Sequence, residues 1–275
     1  MTPFVAVAPE QRIHCRSLFL SDIHLGARGA RPDAVTRMLQ MVEAETVYLV
    51  GDILDFWHGG QIHWSEDHDA LLNALRQLLR RGRNLVYLPG NHDAPMRTGA
   101  DAPKIGWRQV DEALHTTASG QQFLVIHGDQ CDGRILRQHF MTRLGSRIDC
   151  LLRWLDAGWR DRFALPDSRR TPVEILLSSF NKMLCMGYTF ERRALALARE
   201  KDADGVICGH SHRPGMRTHD GMLFANCGDW VDGMTALIED TCGTLRLLDF
   251  TAVAEAARAE RRADTAGTPL PEAIS

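Results

Sequence analysis

The chain has 275 residues, of which 44% are hydrophobic and 24% charged, and this suits one large domain or a domain with a sizeable insertion. Its formal net charge of -3 argues against a generally basic nucleic-acid-binding protein, so we expect no specific nucleic-acid partner. The seven cysteines include no C-x-x-C pair, which favours buried thiols in a reducing compartment over a disulfide framework.

The first residues show no basic start followed by a long apolar run, so no signal peptide is visible. No stretch approaches the roughly 18 apolar residues of a membrane span. We therefore expect a cytoplasmic protein, either free or peripheral at the inner face of the membrane.

Short β-branched runs and amphipathic segments follow one another along the chain. The second of two predicted helices carries leucines at helical spacing, which indicates a core-facing stripe. Strand and helix in alternation predict an α/β layered domain. The predicted strands are 17–20, 47–50, 85–88, 123–126 and 205–208, and the predicted helices are 32–44 and 67–81.

The last part of the domain has a more antiparallel pattern. Short strands are predicted at 222–226, 235–238 and 245–248, with glycine-containing turns between them. We expect residues 1–250 to form the main domain. Residues 251–275 are predicted to be a helical or frayed tail that the chemistry does not require.

The segment 131–202 has little strand pattern and reads as helical at 135–155, 172–186 and 189–200. It carries 14 Lys and Arg against 9 Asp and Glu, an excess of positive charge in a chain that is acidic elsewhere. One interpretation is a packing lobe with a solvated, arginine-rich face. The other is a cap that supplies cations and apolar walls to an anionic, partly apolar ligand.

Each of the five predicted core strands is followed by residues that can bind metals. In a layered α/β fold such residues gather at the carboxyl edge of the sheet. Any one of these clusters alone is more often an ordinary turn, but five in this order point to a single site. They are Asp22 and His24, Asp52 and Asp55, Asn91 with His92 and Asp93, His127 with Asp129, and His210 with His212.

The pattern D-x-H, G-D-x-x-D, G-N-H-D, H-G-D and G-H-x-H, spread over residues 17–229, resembles the calcineurin-like metallophosphoesterase superfamily. The resemblance implies a β-sandwich flanked by helices, with the helical segment as an insertion. It also implies two metal sites that share Asp52 as a bridging ligand. One would be held by Asp22, His24, Asp52 and His212, and the other by Asp52, Asn91, His127 and His210.

Imidazole, carboxylate and amide ligands without thiolate suit two borderline-hard divalent ions, with Mn²⁺ as the first expectation and Fe²⁺ or Zn²⁺ as alternatives. Such a pair can activate a water for in-line attack on phosphorus and clamp the phosphoryl oxygens. By this reasoning His92 donates to a phosphate oxygen or acts as general acid. Asp55 and Asp93 would orient imidazoles, with turn capping as an equal alternative.

The stretches GDILDFW, VIHGDQ and GHSHRP resemble the subgroup that contains UDP-2,3-diacylglucosamine pyrophosphatase. The resemblance implies a lipid-linked nucleotide diphosphate as substrate, bound under a cap. This chain departs from that subgroup at His92, where the lipid A enzymes carry Arg. A soluble nucleotide, a nucleic acid or a phosphoprotein is therefore the alternative substrate. Arg213 and Lys182 are the predicted substrate contacts, and Arg217, Asn226 and Trp230 are weaker candidates near the cleft.

Overall fold

Residues 4–56, 62–98, 105–132 and 187–266 are described by the computed structural model of the protein. Within these ranges the chain forms twelve strands and four α-helices. The strands are β1 (Val5–Ala6), β2 (Ile13–Leu20), β3 (Val42–Val50), β4 (Asn84–Leu88), β5 (Arg108–Gln109), β6 (Ala113–Thr116), β7 (Gln122–Val125), β8 (Gly205–Cys208), β9 (Gly215–His219), β10 (Met222–Asn226), β11 (Thr235–Glu239) and β12 (Leu245–Asp249). The helices are α1 (Pro32–Met41), α2 (Glu66–Arg80), α3 (Gly187–Glu200) and α4 (Thr251–Ala266).

The strands form two sheets. The first has the order β1-β12-β11-β2-β3-β4-β5 and the second the order β6-β7-β8-β10-β9. Strands β2, β3 and β4 run parallel to one another, and so do β7 and β8. Because parallel strands end at the same edge of a sheet, the loops after these five strands emerge side by side within each sheet.

Three buried clusters define the layers. Between the sheets lie apolar side chains from both, including Phe19, Val50, Phe123 and Ile207. A second cluster joins the first sheet to α1, α2 and α4, and a third joins the second sheet to α3. The order is therefore helices, sheet, sheet, helix, which confirms the predicted β-sandwich flanked by helices.

The predicted core strands are all present, but one helix boundary was wrong. The helix predicted over 32–44 ends at Met41, and β3 begins at Val42. From Val42 to Glu45 buried and exposed residues alternate, and Val42 pairs with Ile13 of the parallel strand β2. An alternation with a period of two residues is typical of a strand, whereas a helix buries every third or fourth residue. The short strands β1, β5, β6 and β9 were not predicted.

The tail is helical as far as Ala266 in the described residues. Val253 and Ala254 are buried in the cluster beneath the first sheet, and Arg31 donates a hydrogen bond to the Ala254 carbonyl at 2.8 Å. This segment therefore contributes to the core. That the chemistry does not require it stays a prediction.

Most of the predicted cap lies outside the described residues, including the helices expected at 135–155 and 172–186. The helix expected at 189–200 is α3, and its Phe190 and Ala194 pack against the second sheet. This helix is thus part of the sandwich. Among the described helices, none has both the length and the apolar character needed to cross a bilayer.

Candidate metal centre

The five predicted clusters meet at one place, where strands of both sheets end. Five of the seven residues predicted as metal ligands have a left-handed backbone, which non-glycine residues rarely adopt. This conformation turns the chain sharply at the strand ends, and such strain is typical of functional sites. The five residues and their φ angles are Asp22 (53°), His24 (54°), Asp52 (52°), His210 (65°) and His212 (51°).

Asp22, His24 and His212 form the first ligand group, with one donor atom from each within 4.8 Å of the others. The Oδ1 atom of Asp22 lies 3.2 Å from His212 Nε2 and 3.9 Å from His24 Nε2. Asp22 Oδ1 and His24 Nε2 are buried without a hydrogen-bond partner among the described residues. Burying such atoms unpaired is costly, and a divalent cation between them would satisfy both, so the donor set fits a metal.

Asp52, His127 and His210 form a second ligand group. His127 Nε2 lies 3.2 Å from Asp52 Oδ2 and 3.3 Å from Asn91 Oδ1. Its other ring nitrogen, Nδ1, lies 2.9 Å from the Val50 carbonyl oxygen, which can only accept a hydrogen bond. Nδ1 therefore donates its proton to this oxygen, and Nε2, which faces the carboxylate and the amide oxygen, is the atom that would bind a metal.

The charges of the centre are set by pairs of carboxylates and imidazoles. Burial would raise the pKa of Asp22 and Asp52, but His212 and His127 respectively hold both pKa values below the ordinary range. In the same way burial opposes the charge on His127, but Asp52 raises the pKa of that imidazole to about 10. Both carboxylates are therefore anionic and suited to cations.

His92 lies beside both groups without belonging to either. Its backbone N–H donates to Asp52 Oδ1 at 2.7 Å, and its Nδ1 is 3.3 Å from Asp55 Oδ1. Burial would lower the pKa of His92, but the hydrogen bond to Asp55 and the nearby carboxylates raise it. Asp55 Oδ2 also lies 3.7 Å from His24 Nδ1, so Asp55 contacts two imidazoles. Distance alone also admits His24, Asp55 and His92 as a further ligand group.

The sequence allows Asp93 either to orient an imidazole or to cap a turn, and in the structure it contacts the backbone. It accepts hydrogen bonds from the amides of Gly90 at 2.5 Å, Ile53 at 2.8 Å and Leu54 at 3.2 Å. These bonds hold the loop after β3 against the loop after β4. The turn-capping alternative therefore describes Asp93, and its effect on the centre is to fix two loops.

Two glycines allow the loops to approach the ligands this closely. A Cβ atom on Gly90 would lie 2.3 Å from Asp52 Oδ1, and one on Gly209 would lie 2.5 Å from Asp22 Oδ2. Neither position can hold a side chain without moving a carboxylate. Glycine is therefore required on steric grounds at the first position of both G-N-H-D and G-H-x-H.

The predicted substrate contacts have different outcomes. Arg213 is exposed and directly follows His212, whereas Lys182 lies outside the described residues. Arg217 pairs with Glu191 of α3 at 2.6 Å, so its guanidinium is committed to a structural contact. Trp230 is fully buried and does not face a cleft.

Sequence reasoning missed several residues that hold the site. Asp229 lies 3.7 Å from His212 Nδ1. Arg97 pairs with Asp129 of the H-G-D motif at 3.1 Å and donates to the Pro89 carbonyl at 2.7 Å, which links two site loops. The G-D pair in the stretch NCGDWVDG was the available signal for Asp229, since Asp52 and Asp129 also directly follow a glycine.

A sequence model of the family described as calcineurin-like phosphoesterase matches residues 15–214, most of the chain. The chain belongs to this family. As a calcineurin-like phosphoesterase the protein is a hydrolase, and family membership implies divalent metals at the centre described above.

Relatives of this calcineurin-like phosphoesterase carry a more specific name. It is 24% identical to a UDP-2,3-diacylglucosamine hydrolase of Neisseria meningitidis serogroup C, covering 80% of this chain and 92% of the relative. It is 29% identical to a UDP-2,3-diacylglucosamine hydrolase of Chromohalobacter salexigens, covering 79% and 89%. A solved structure of Yfce, a phosphoesterase from E. coli, aligns with a TM-score of 0.42 at 11% identity, covering 86% of this chain and 99% of that one.

Proposed function

We propose that the protein is a two-metal hydrolase that cleaves the diphosphate of UDP-2,3-diacylglucosamine or a similar lipid-linked nucleotide. The observation that carries the two-metal proposal is the pair of ligand groups at one edge of the sandwich, each with a buried aspartate and two histidines. In the first group Asp22 Oδ1 and His24 Nε2 are buried without a hydrogen-bond partner among the described residues, which is difficult to explain as packing alone.

In this proposal Asp22, His24 and His212 hold one ion, Asn91, His127 and His210 hold the other, and Asp52 bridges them. Mn²⁺ is the preferred ion, with Fe²⁺ or Zn²⁺ as alternatives. Two divalent ions at this site would supply an activated water and neutralise charge on the phosphoryl group. Asp55, which contacts His24 and His92, would keep both imidazoles oriented.

His92 is the proposed proton donor. Its Nδ1 faces Asp55, and we assign Nε2 to a phosphoryl or leaving-group oxygen. A donor held in this way can stabilise charge as it develops and protonate the departing phosphate. Its neighbour Asn91 faces His127 and is assigned to the metal.

The relatives named UDP-2,3-diacylglucosamine hydrolase support the substrate class, since the chain covers 92% and 89% of the two described above. The positive excess within 131–202 also suits an anionic ligand. We propose that Arg213 and Lys182 contact phosphate, that residues 131–202 include the cap over the lipid part, and that the enzyme works at the inner face of the membrane.

The direct test is to incubate Mn²⁺-loaded protein with UDP-2,3-diacylglucosamine in detergent micelles and to quantify UMP by mass spectrometry. The proposal expects UMP and the acylated sugar phosphate in equal amounts. The matched control is Asp52→Ala, which removes the proposed bridging ligand. UMP release no greater than with this variant would reject the substrate.

A second candidate is a phosphodiesterase that acts on a soluble nucleotide, and His92 is the observation that favours it. The lipid A enzymes that the chain resembles carry Arg at this position, whereas other members of the superfamily carry His. Bis-p-nitrophenyl phosphate followed by a panel of soluble nucleotides tests it. Rapid turnover of a soluble nucleotide, without turnover of the lipid-linked one, would establish the second candidate over the first.

A further inference from the structure

Residues 226–233, which are the last residue of β10 and most of the connection to β11 and are called here the 226–233 loop, tie both sheets to the metal centre. The Asn226 amide donates to the Gly209 carbonyl at 2.5 Å and to Ser211 Oγ at 3.1 Å, which holds the G-H-x-H turn of the second sheet. From the first sheet Ser21 Oγ donates to the Gly228 carbonyl at 2.8 Å. The backbone N–H of Trp230 donates to the Asp22 carbonyl at 3.1 Å. The 226–233 loop thus fixes the backbone at Asp22 and beside His212.

Within this loop the two oxygens of the Asp229 carboxylate have different surroundings. Oδ1 accepts hydrogen bonds from the amides of Val231 at 2.9 Å, Asp232 at 2.5 Å and Gly233 at 3.0 Å. Oδ2 is buried, has no hydrogen-bond partner among the described residues, and lies 3.7 Å from His212 Nδ1. The backbone therefore anchors one oxygen and directs the other at the imidazole.

We propose that Asp229 is a positioning residue that prepares His212 to bind the first metal, an inference that rests on the proposed two-metal site. The 3.7 Å separation is longer than a hydrogen bond, so the proposed role requires the His212 ring to approach Asp229 when the metal binds. With its proton on Nδ1 and bonded to Asp229, His212 presents the Nε2 lone pair towards Asp22 Oδ1, 3.2 Å away. Carboxylates behind ligand histidines commonly orient them in this way.

The substitution Asp229→Asn separates this role from that of turn formation. Asparagine has the same shape, and its oxygen can still accept the three backbone bonds. Its NH₂ group, however, places donors where His212 Nδ1–H needs an acceptor, which favours the tautomer with the proton on Nε2. We expect one of the two metals to bind about 10- to 100-fold more weakly while the other is unchanged, as measured by isothermal titration with Mn²⁺.

The control is Asp240→Asn. Asp240 accepts two backbone amide bonds, from Cys242 and Thr244, each at 2.9 Å, in an exposed turn. Asp240 thus accepts backbone hydrogen bonds in a turn, as Asp229 does. We expect Asp240→Asn to bind both metals with wild-type affinity. Wild-type affinity in Asp229→Asn as well would overturn the proposal and leave Asp229 as a turn residue. A wild-type protein that binds no metal would instead contradict the proposed function.

A second measurement needs no substitution at Asp229 and remains informative if Asp229→Asn is unstable. Long-range ¹H–¹⁵N NMR of the Zn²⁺-loaded wild type reports which imidazole nitrogen carries the proton. The His212 signals are assigned by their loss in His212→Gln. We expect His212 to be protonated at Nδ1 and to bind through Nε2. Protonation at Nε2 would contradict the role of Asp229.

Discussion

At the scale of single residues, two neighbours in G-N-H-D face different partners. Asn91 Oδ1 lies 3.3 Å from His127 Nε2, whereas the His92 ring lies against Asp55 and packs edge-to-face on His24, with ring centroids 4.5 Å apart. The turn that follows β4 separates the two side chains. One is therefore placed to bind a metal and the other to act on substrate.

We predict that His92→Ala keeps both metals and lowers turnover by about 10²- to 10⁴-fold, the usual contribution of a general acid or base. Asn91→Ala is the companion variant and should weaken the binding of one metal. Turnover is measured with the released nucleotide and metal content by elemental analysis. Loss of a metal from His92→Ala would assign His92 to the ligands and contradict its proposed role.

Gly90→Ala should abolish most activity, because the new Cβ would lie 2.3 Å from Asp52 Oδ1 and 2.7 Å from the Asp52 backbone nitrogen. Something must move, and overpacking of this kind typically costs about 1–3 kcal/mol of stability. Urea unfolding and metal titration measure the two effects. Gly215→Ala is the control, since its Cβ would meet Arg217 at an ordinary 3.5 Å. Equal behaviour of the two variants would refute the steric argument.

The types of ligand could be predicted from the sequence because each cluster directly follows a recognisable strand. The supporting carboxylates could not be assigned in the same way. Asp55 and Asp93 have similar sequence surroundings, but one contacts imidazoles and the other backbone amides. Which groups a carboxylate faces depends on how neighbouring loops pack, and this information is absent from local spacing.

At the scale of elements, a cluster of polar side chains joins the two sheets away from the metal centre. Glu239 of β11 lies 2.9 Å from His115 Nε2 on β6 and 2.6 Å from Arg16 on β2. His115 Nδ1 lies 3.3 Å from the Tyr48 hydroxyl of β3. A neutral His115 that donates to Glu239 and accepts from Tyr48 satisfies all of these contacts.

The pH dependence of stability tests this arrangement. Burial lowers the pKa of His115, although Glu239 opposes the effect, so the unfolded chain takes up a proton at higher pH than the native protein. The contribution of His115 to stability is thus complete above the unfolded pKa of about 6.5 and is lost as the pH falls towards the lower native pKa. Compared with His115→Gln, the wild type should be more stable by about 1–2 kcal/mol above pH 7.

The measurement is urea unfolding of both proteins at several pH values between 7.5 and 5.5. We expect the difference in unfolding free energy between wild type and His115→Gln to shrink with acidification. A difference that grows instead would mean that His115 is protonated and forms an ion pair with Glu239. That result would contradict the neutral imidazole.

The strands that could be predicted from the sequence are more deeply buried than those that could not. Strands β3, β4, β7 and β8 have mostly buried residues, and their apolar runs were recognisable. Strand β9 at the edge of the second sheet reads Gly-Met-Arg-Thr-His and is partly exposed. Its pairing with β10 comes from the hairpin, which apolar pattern alone does not reveal.

At the scale of the whole molecule, the centre depends on two sheets held face to face. Asp22 and Asp52 extend from the first sheet and His127, His210 and His212 from the second, and the apolar layer between the sheets includes Phe19 and Phe123. The convergence of strand ends within one sheet follows from parallel order and could be predicted. The registration of one sheet against the other could not, because it is decided by side-chain packing across the interface.

We propose that two divalent ions occupy this edge of the sandwich. The most direct test is a crystal of the Mn²⁺-loaded protein with anomalous diffraction measured at the manganese edge. We expect two anomalous peaks about 3.5–4 Å apart, one beside Asp22, His24 and His212 and one beside His127 and His210, with Asp52 between them. A single peak, or two peaks away from these residues, would contradict it.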